Sequence, residues 1–447
     1  MRNIIKCFGI YVFLIVFFVI ALILSCLFSS KYIYDNVSES SEVLINEGNR
    51  KIVYIPYRKQ KLQFDNYTDA LMINTAYSID SETPLYSALV ARKNYLPNVT
   101  QTIEEDSAGE LKSASKYKWH DEVGELRDLV NNDITESFEY ARYWHGYLII
   151  LRPLLLLFNL STLRVILTLV LFILFAVLFY LIARKINIIV GIIFFIGLIS
   201  VEYFYLGFSL QGIFVFLIAI IFSIVILCTN EKIKNISVLF FAGGMLTNFF
   251  DFLTVPVVTL GLPLIVYLLL KNKNNKSNAK ENVIEMLKIS IAWGIGYGIT
   301  WLTKWILVDV ILGRDLIATA IGQVIYRTVG RSYDIFSVLY SNISYETYNL
   351  FLTILITVLS INIYFILNKE IKLNSNVSKT DIAEIILPYV LIGALPFIWY
   401  IVLKNHSINH AFFTYRNLVL TIISLNICIY KIFEYLTTKK GEKNEKE

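Results

Sequence analysis

Hydrophobic positions in this chain come in unbroken runs rather than at the three-to-four spacing of a half-buried helix. The first run covers 4–27, and a long stretch of mixed polarity, 29–143, follows it. The runs then return at 161–185, 186–205, 206–228, 236–250 and 253–270, with four more centred on 286–308, 347–367, 383–403 and 416–436. An apolar segment of about 20 residues is what a helix needs to cross the hydrocarbon core. The pattern therefore predicts ten spans and an all-α polytopic membrane fold. One further apolar segment, 146–159, holds Arg152 and Pro153 and is too short to cross; it reads as an interfacial or re-entrant helix leading into the second span. The first run is longer than a signal-peptide core and lacks a small-x-small cleavage site, so it reads as a retained span.

Basic residues fix the orientation of such a bundle. Arg184 and Lys185, Lys232 and Lys234, and the stretches 271–280, 368–372 and 439–446 fall on one side when ten spans are counted. That side reads as cytoplasmic and holds both termini, so 29–143, 309–346 and 404–415 face outward across a plasma membrane. The chain divides into a first span (1–28), a large extracytoplasmic loop (29–145), the interfacial helix with spans two to ten (146–436), and a cytoplasmic tail (437–447).

Composition agrees: of 447 residues, 56% are hydrophobic and only 17% charged. The net charge of +5 does not point to nucleic acid, because the lysines sit in short loops between spans. The four cysteines (Cys7, Cys26, Cys228, Cys428) lie in or beside apolar segments, which predicts no disulfide framework.

The chemistry-bearing residues are unevenly placed. All four histidines (His120, His145, His406, His410) and Asp69, Arg142, Glu202, Asp251, Lys304, Arg327 and Arg416 fall at outer span ends or in outer loops. Ionisable groups buried in lipid are costly, and intramembrane ones usually mark function. A transporter with a midplane site would carry them mid-span, so the pattern favours chemistry at the outer face. In "FDNYTDALM", Asp65 and Thr68 suit a helix N-cap, whereas Asp69 in the first turn is a candidate general base. Asp121 and Glu122 in "WHDE" compete for that role but read as a solvated face. In "EYARYWHG", Glu139, Arg142 and His145 share one face if the stretch is helical. Tyr143 and Trp144 suit the headgroup level, and Arg142 beside aromatics suits a phosphate or a sugar ring. Glu202, Asn248 and Asp251 sit at outer turns, Asp251 also as a turn cap. Lys304, between Trp301 and Trp305, is a phosphate contact or a snorkelling lysine. Gly294 and Gly298 form a small-xxx-small pair that predicts helix packing. His406 and His410 are too few for a zinc site, and His410, Arg416 and Arg327 instead suit an anion at the mouth of the last span.

This layout, with the strings "NYTDALM", "YARYWHG", "GGMLTNFFDFLTVP" and "HAFFTYRN", resembles the GT-C superfamily of membrane glycosyltransferases, in particular a group of membrane proteins from Gram-positive bacteria. The resemblance implies an inverting enzyme that moves a sugar from a polyprenyl-phosphate-linked donor to a cell-envelope glycan or lipid acceptor outside the cell. It implies Asp69 as the base, with Asp121 or Glu122 as alternatives. Arg142, His145, Lys304, Arg327, His410 and Arg416 would hold the donor phosphate, with Tyr143, Trp144, Glu202, Asn248 and Asp251 as substrate contacts or support. No metal ligand set is assigned, and a divalent metal as helper stays open. Neither a Walker A nor a Rossmann glycine pattern is present, which fits a pre-activated lipid-linked donor. The rival readings are a polysaccharide or lipid transporter or flippase, a glycan polymerase or ligase, and an assembly protein that binds a partner through 29–143.

Overall fold

In the computed structural model, the described residues are 2–54, 62–94, 121–132, 136–229, 235–274, 278–329, 333–367, 371–373 and 378–439. His120, Lys232 and Lys234 lie outside them.

The first apolar run is α1 (Arg2–Cys26). The polar stretch after it folds into α2 (Tyr34–Glu47), α3 (Asn66–Tyr77), α4 (Pro84–Val90) and α5 (Glu122–Asn131). Two short antiparallel pairings accompany them, β1 (Lys51–Val53) with β2 (Leu62–Phe64) and β3 (Lys93–Asn94) with β4 (Ser137–Phe138). Asp65 starts α3 as the expected N-cap, accepting from the Thr68 amide at 3.3 Å, and Asp121 does the same for α5 through Gly124 at 2.9 Å.

The apolar segment at 146–159 contains α6 (Leu148–Leu155). Next come α7 (Leu160–Lys185), α8 (Ile188–Ser200), α9 (Ile213–Thr229), α10 (Ile236–Phe250), α11 (Val257–Asn274) and α12 (Ala279–Leu312). Then come α13 (Leu316–Val329), α14 (Ile335–Ile343), α15 (Thr347–Leu367), α16 (Lys379–Val402), α17 (Lys404–Asn409), α18 (Ala411–Thr414) and α19 (Val419–Leu436). A last pairing joins β5 (Ile371–Leu373) to β6 (Thr437–Lys439).

The protein is thus an all-α membrane protein. Each of the ten apolar runs contains one helix. Six helices are long and apolar enough to cross a membrane: Asn3–Cys26, Leu160–Lys185, Ala279–Leu312, Thr347–Leu367, Lys379–Val402 and Ala411–Leu436. Others are shorter; the 13 residues of α8 rise only about 20 Å. The stretch 309–346, read from sequence as a loop, instead carries α13 and α14.

The helices of the polar stretch are tied to the bundle by buried cations. Arg152 on α6 donates to Ser25 O (2.8 Å), Phe28 O (2.7 Å), Ser30 Oγ (3.4 Å) and Ala76 O, so one side chain closes the ends of α1 and α3. Arg164, in the first turns of α7, meets Glu47 at 2.9 Å and Asn66 at 3.0 Å. Lys93 sits between Glu122 (2.7 Å) and Glu125 (2.6 Å). The "WHDE" carboxylate Glu122 is therefore not on a solvated face: it is 3% exposed, locked in an ion cluster. Burial raises its pKa and Lys93 opposes that rise.

α10 and α12 touch through glycines other than the expected pair. A Cβ on Gly244 would lie 2.1 Å from Trp293 O, and one on Gly296 would lie 2.1 Å from Phe241 O. Gly294 and Gly298 face open space. The small-xxx-small spacing is present, but on the wrong side of the helix for this contact.

Candidate functional site

A narrow cleft lies where β2, the start of α3, the 203–212 segment, the 251–256 turn and α18 meet. Asp65, Gln211, Thr254, Phe412, Phe413 and Arg416 help to line it. Asp65 accepts from Thr68 Oγ1 at 2.7 Å and from Gln211 Nε2 at 2.5 Å. Burial raises its pKa, while the hydrogen bonds from Thr68 and Gln211 pull it down. Arg416 donates through Nε to Val201 O at 3.2 Å, and its guanidinium lies 4.9 Å from the Tyr415 ring. The Tyr415 hydroxyl in turn donates to Glu202, whose own backbone is left-handed at φ 53°.

Asp69 lies one turn further along α3 and is fully buried, so it does not line the cleft. Its Oδ1 accepts from Leu210 N at 2.9 Å; its Oδ2 is 3.6 Å from Arg164 and has no hydrogen bond. Burial pushes this carboxyl up to about 7, against the pull of Arg164 and the Leu210 amide.

Beyond the 251–256 turn lies an aromatic rim. Asp251 caps the turn as expected, accepting from Thr254 N at 2.9 Å and Thr254 Oγ1 at 2.5 Å; burial pushes its carboxyl up to about 6. Phe252 packs against Tyr143 (ring centroids 5.2 Å) and His145 (5.2 Å). His145 has left-handed backbone, φ 56°, and its Nε2 lies 2.7 Å from Tyr140 O. Desolvation pushes it down to about 3, so it stands here as a neutral ring. The left-handed residue turns the chain so that Gly146 N reaches Phe249 O at 3.0 Å, an approach any Cβ on Gly146 would obstruct.

Arg142 is half-buried, with its guanidinium 5.5 Å from the Tyr140 ring. Arg327, on α13, donates to His406 Nδ1 at 2.8 Å, and His406 Nε2 lies 2.8 Å from Leu253 O. His410 sits 4.7 Å from His406 and stacks on the cleft residue Phe413 at 5.2 Å. Burial and the Arg327 charge push His410 down to about 4. Asn248 is 1% exposed, and neither atom of its amide finds a hydrogen-bond partner.

The expected residues thus separate into two sets. Tyr143 and His145 pack on Phe252, Arg142 lies beside Tyr140, and Arg327 and His410 both meet His406; Arg416 lines the cleft, with Glu202 tied to its neighbour Tyr415. Asp69, Trp144 and Lys304 belong to the interior. Trp144 is fully buried and donates to Thr300 O at 2.9 Å; Lys304 donates to Leu89 O at 2.6 Å, 5.3 Å from the Trp144 ring. Asp121 is held by Asn49 at 2.8 Å. Sequence reasoning missed Gln211 and Arg164. An arginine in the opening turns of an apolar run was a signal for the second; nothing in "SLQG" marked the first. Among the described residues, no three His, Cys, Asp or Glu side chains converge as metal ligands.

No protein-family model matches the chain, and no curated protein or solved structure is significantly similar to it.

Proposed function

We propose that this protein is a membrane glycosyltransferase that moves a sugar from a polyprenyl-phosphate-linked donor to a cell-envelope glycan or lipid acceptor. One observation carries the reading. Arg416 lines the aromatic-walled cleft, Arg142 and Arg327 border the neighbouring rim, and none forms an ion pair with a carboxylate among the described residues. Arginines without a counter-charge suit an anion such as phosphate, which the planar guanidinium can meet bidentately.

The base in this scheme is Asp65, the carboxylate lining the cleft, rather than the sealed Asp69. An Asp65 carboxylate oxygen takes the proton of an acceptor hydroxyl. The hydroxyl oxygen attacks the anomeric carbon, the bond from that carbon to the phosphate oxygen breaks, and the phosphate departs with the electron pair towards the arginines. Attack opposite the leaving group inverts the anomeric centre.

The test is envelope glycan composition, measured by mass spectrometry, in strains whose only copy carries Asp65→Asn, Arg142→Ala or Arg327→Ala. Loss of one sugar with the protein still present in the membrane is the expected result. Unchanged glycan in all three strains would sink the reading.

A further inference from the structure

We infer that His406 is a positioning residue that aims Arg327 at a phosphate-bearing headgroup while leaving its positive charge unspent. The inference rests on the transferase reading only in taking Arg327 as part of the anion site.

α13 cannot fix Arg327 by packing. Ala320 alone of its residues is fully buried, and Ile321, Ile325 and Val329 are exposed. What holds its C-terminal end is α17. Asn405 Nδ2 donates to Tyr326 O at 2.8 Å, and the neighbouring His406 accepts from Arg327 at 2.8 Å. His406 is fixed in turn by the Leu253 carbonyl, 2.8 Å from its Nε2. A carbonyl can only accept and a guanidinium can only donate, so both contacts are satisfied by one state: neutral imidazole with the proton on Nε2. Leu253 has left-handed backbone, φ 65°, which presents that carbonyl at the 251–256 turn between rim and cleft.

A carboxylate in this place would orient Arg327 equally well but would neutralise it. A neutral acceptor orients it and leaves the full charge for a ligand. The two cases differ in chemistry, and substitution separates them.

Farnesyl phosphate titrated into the full-length protein in detergent, with farnesol as the uncharged control, is the measurement. His406→Leu is expected to weaken binding of farnesyl phosphate roughly tenfold without affecting farnesol. His406→Gln supplies one donor and one acceptor and is expected to restore near wild-type affinity. His406→Glu is expected to bind worse than His406→Leu, because it pairs with Arg327. Inorganic phosphate as competitor separates a lipid headgroup from the free anion; the ranking of the His406 variants is expected to hold for either. Equal binding by His406→Leu and wild type, or by His406→Glu and His406→Gln, overturns the positioning role. If Arg327→Ala and Arg142→Ala bind as wild type does, the anion site itself falls, and the transferase reading with it. Thermal unfolding of each variant keeps misfolding from passing for lost affinity.

Discussion

Two regions of this molecule use buried cations in opposite ways. Where the 29–143 helices meet the bundle, each cation is met by oxygen acceptors: Arg152 by three carbonyls and a hydroxyl, Arg164 by Glu47 and Asn66, Lys93 by two glutamates, Lys304 by Leu89 O. At the rim and cleft, Arg142 has an aromatic face, Arg327 a neutral histidine and Arg416 one carbonyl and the Tyr415 ring. Desolvating a charge is unfavourable unless partners compensate. The first region therefore spends its cations on holding elements together. The second keeps positive charge in reserve, which a scaffold does not need and an anion site does.

The sharpest way to break that contrast is to remove one arginine from each region. Arg152→Leu strands the carbonyls of Ser25, Phe28 and Ala76, and is expected to cost about 3–5 kcal/mol. It would appear as a collapse of the monodisperse peak in size-exclusion chromatography. Arg142→Ala removes no ion pair, and its thermal unfolding is expected to stay near wild type. Its transfer rate is expected to fall about a hundredfold, read from sugar incorporation in membranes. If Arg142→Ala unfolds as Arg152→Leu does, the two regions are not different in kind.

The neighbouring carboxylates Asp65 and Asp69 repeat the contrast at shorter range. Asp69 is sealed, and its pKa is raised from 3.8 to about 7. Between those values the folded protein keeps a proton that the unfolded chain releases. Stability therefore falls as pH rises through this window and levels off above about 7. Asp69→Asn mimics the protonated side chain and removes that slope. The variant's advantage over wild type is expected to widen between pH 5 and pH 8, by on the order of 2–3 kcal/mol. Asp251 and Glu122 titrate in both proteins and cancel from the difference, whereas Asp65, which repels the Asp69 charge, contributes to it. Parallel thermal-stability curves across this range would mean that Asp69 is not buried as described.

Much of the fold was legible because hydrophobic runs report burial in lipid directly. The N-cap role of Asp65 and the turn cap at Asp251 were legible too, since both act within four residues of themselves. The site was only half legible. "YARYWHG" and "HAFFTYRN" marked the rim, but the sequence offered Asp69 as base, and Asp65 is the carboxylate that lines the cleft. One helical turn decides that, and it depends on how α3 is rolled against the 203–212 segment. Lys304 and Trp144 looked like headgroup residues because their composition suits an interface; the α4 carbonyl and the α12 backbone that claim them lie far away in sequence. The fold of 309–346 was missed because an apolar stripe as short as α13 falls below the length that marks a span.

The glycines of α10 and α12 give the finest test of what spacing alone can tell. Gly294 and Gly298 have the motif; Gly244 and Gly296 have the contact. A methyl at Gly244 would meet the Trp293 carbonyl and one at Gly296 the Phe241 carbonyl, both backbone atoms that cannot swing away. Gly244→Ala or Gly296→Ala must therefore push the helices apart, at an expected cost of about 1–3 kcal/mol. Gly294→Ala and Gly298→Ala add a methyl to open space in a helix interior, where alanine is favoured over glycine by roughly 0.5–1 kcal/mol. Their melting temperatures are expected to hold or rise slightly. Because α12 also carries Thr300 and Lys304, the separated pair should release Trp144 and raise its fluorescence quenching by acrylamide, whereas the other pair should not. Destabilisation by Gly294→Ala and Gly298→Ala but not by Gly244→Ala and Gly296→Ala would restore the motif reading and place the α10–α12 contact on the opposite face of the helix.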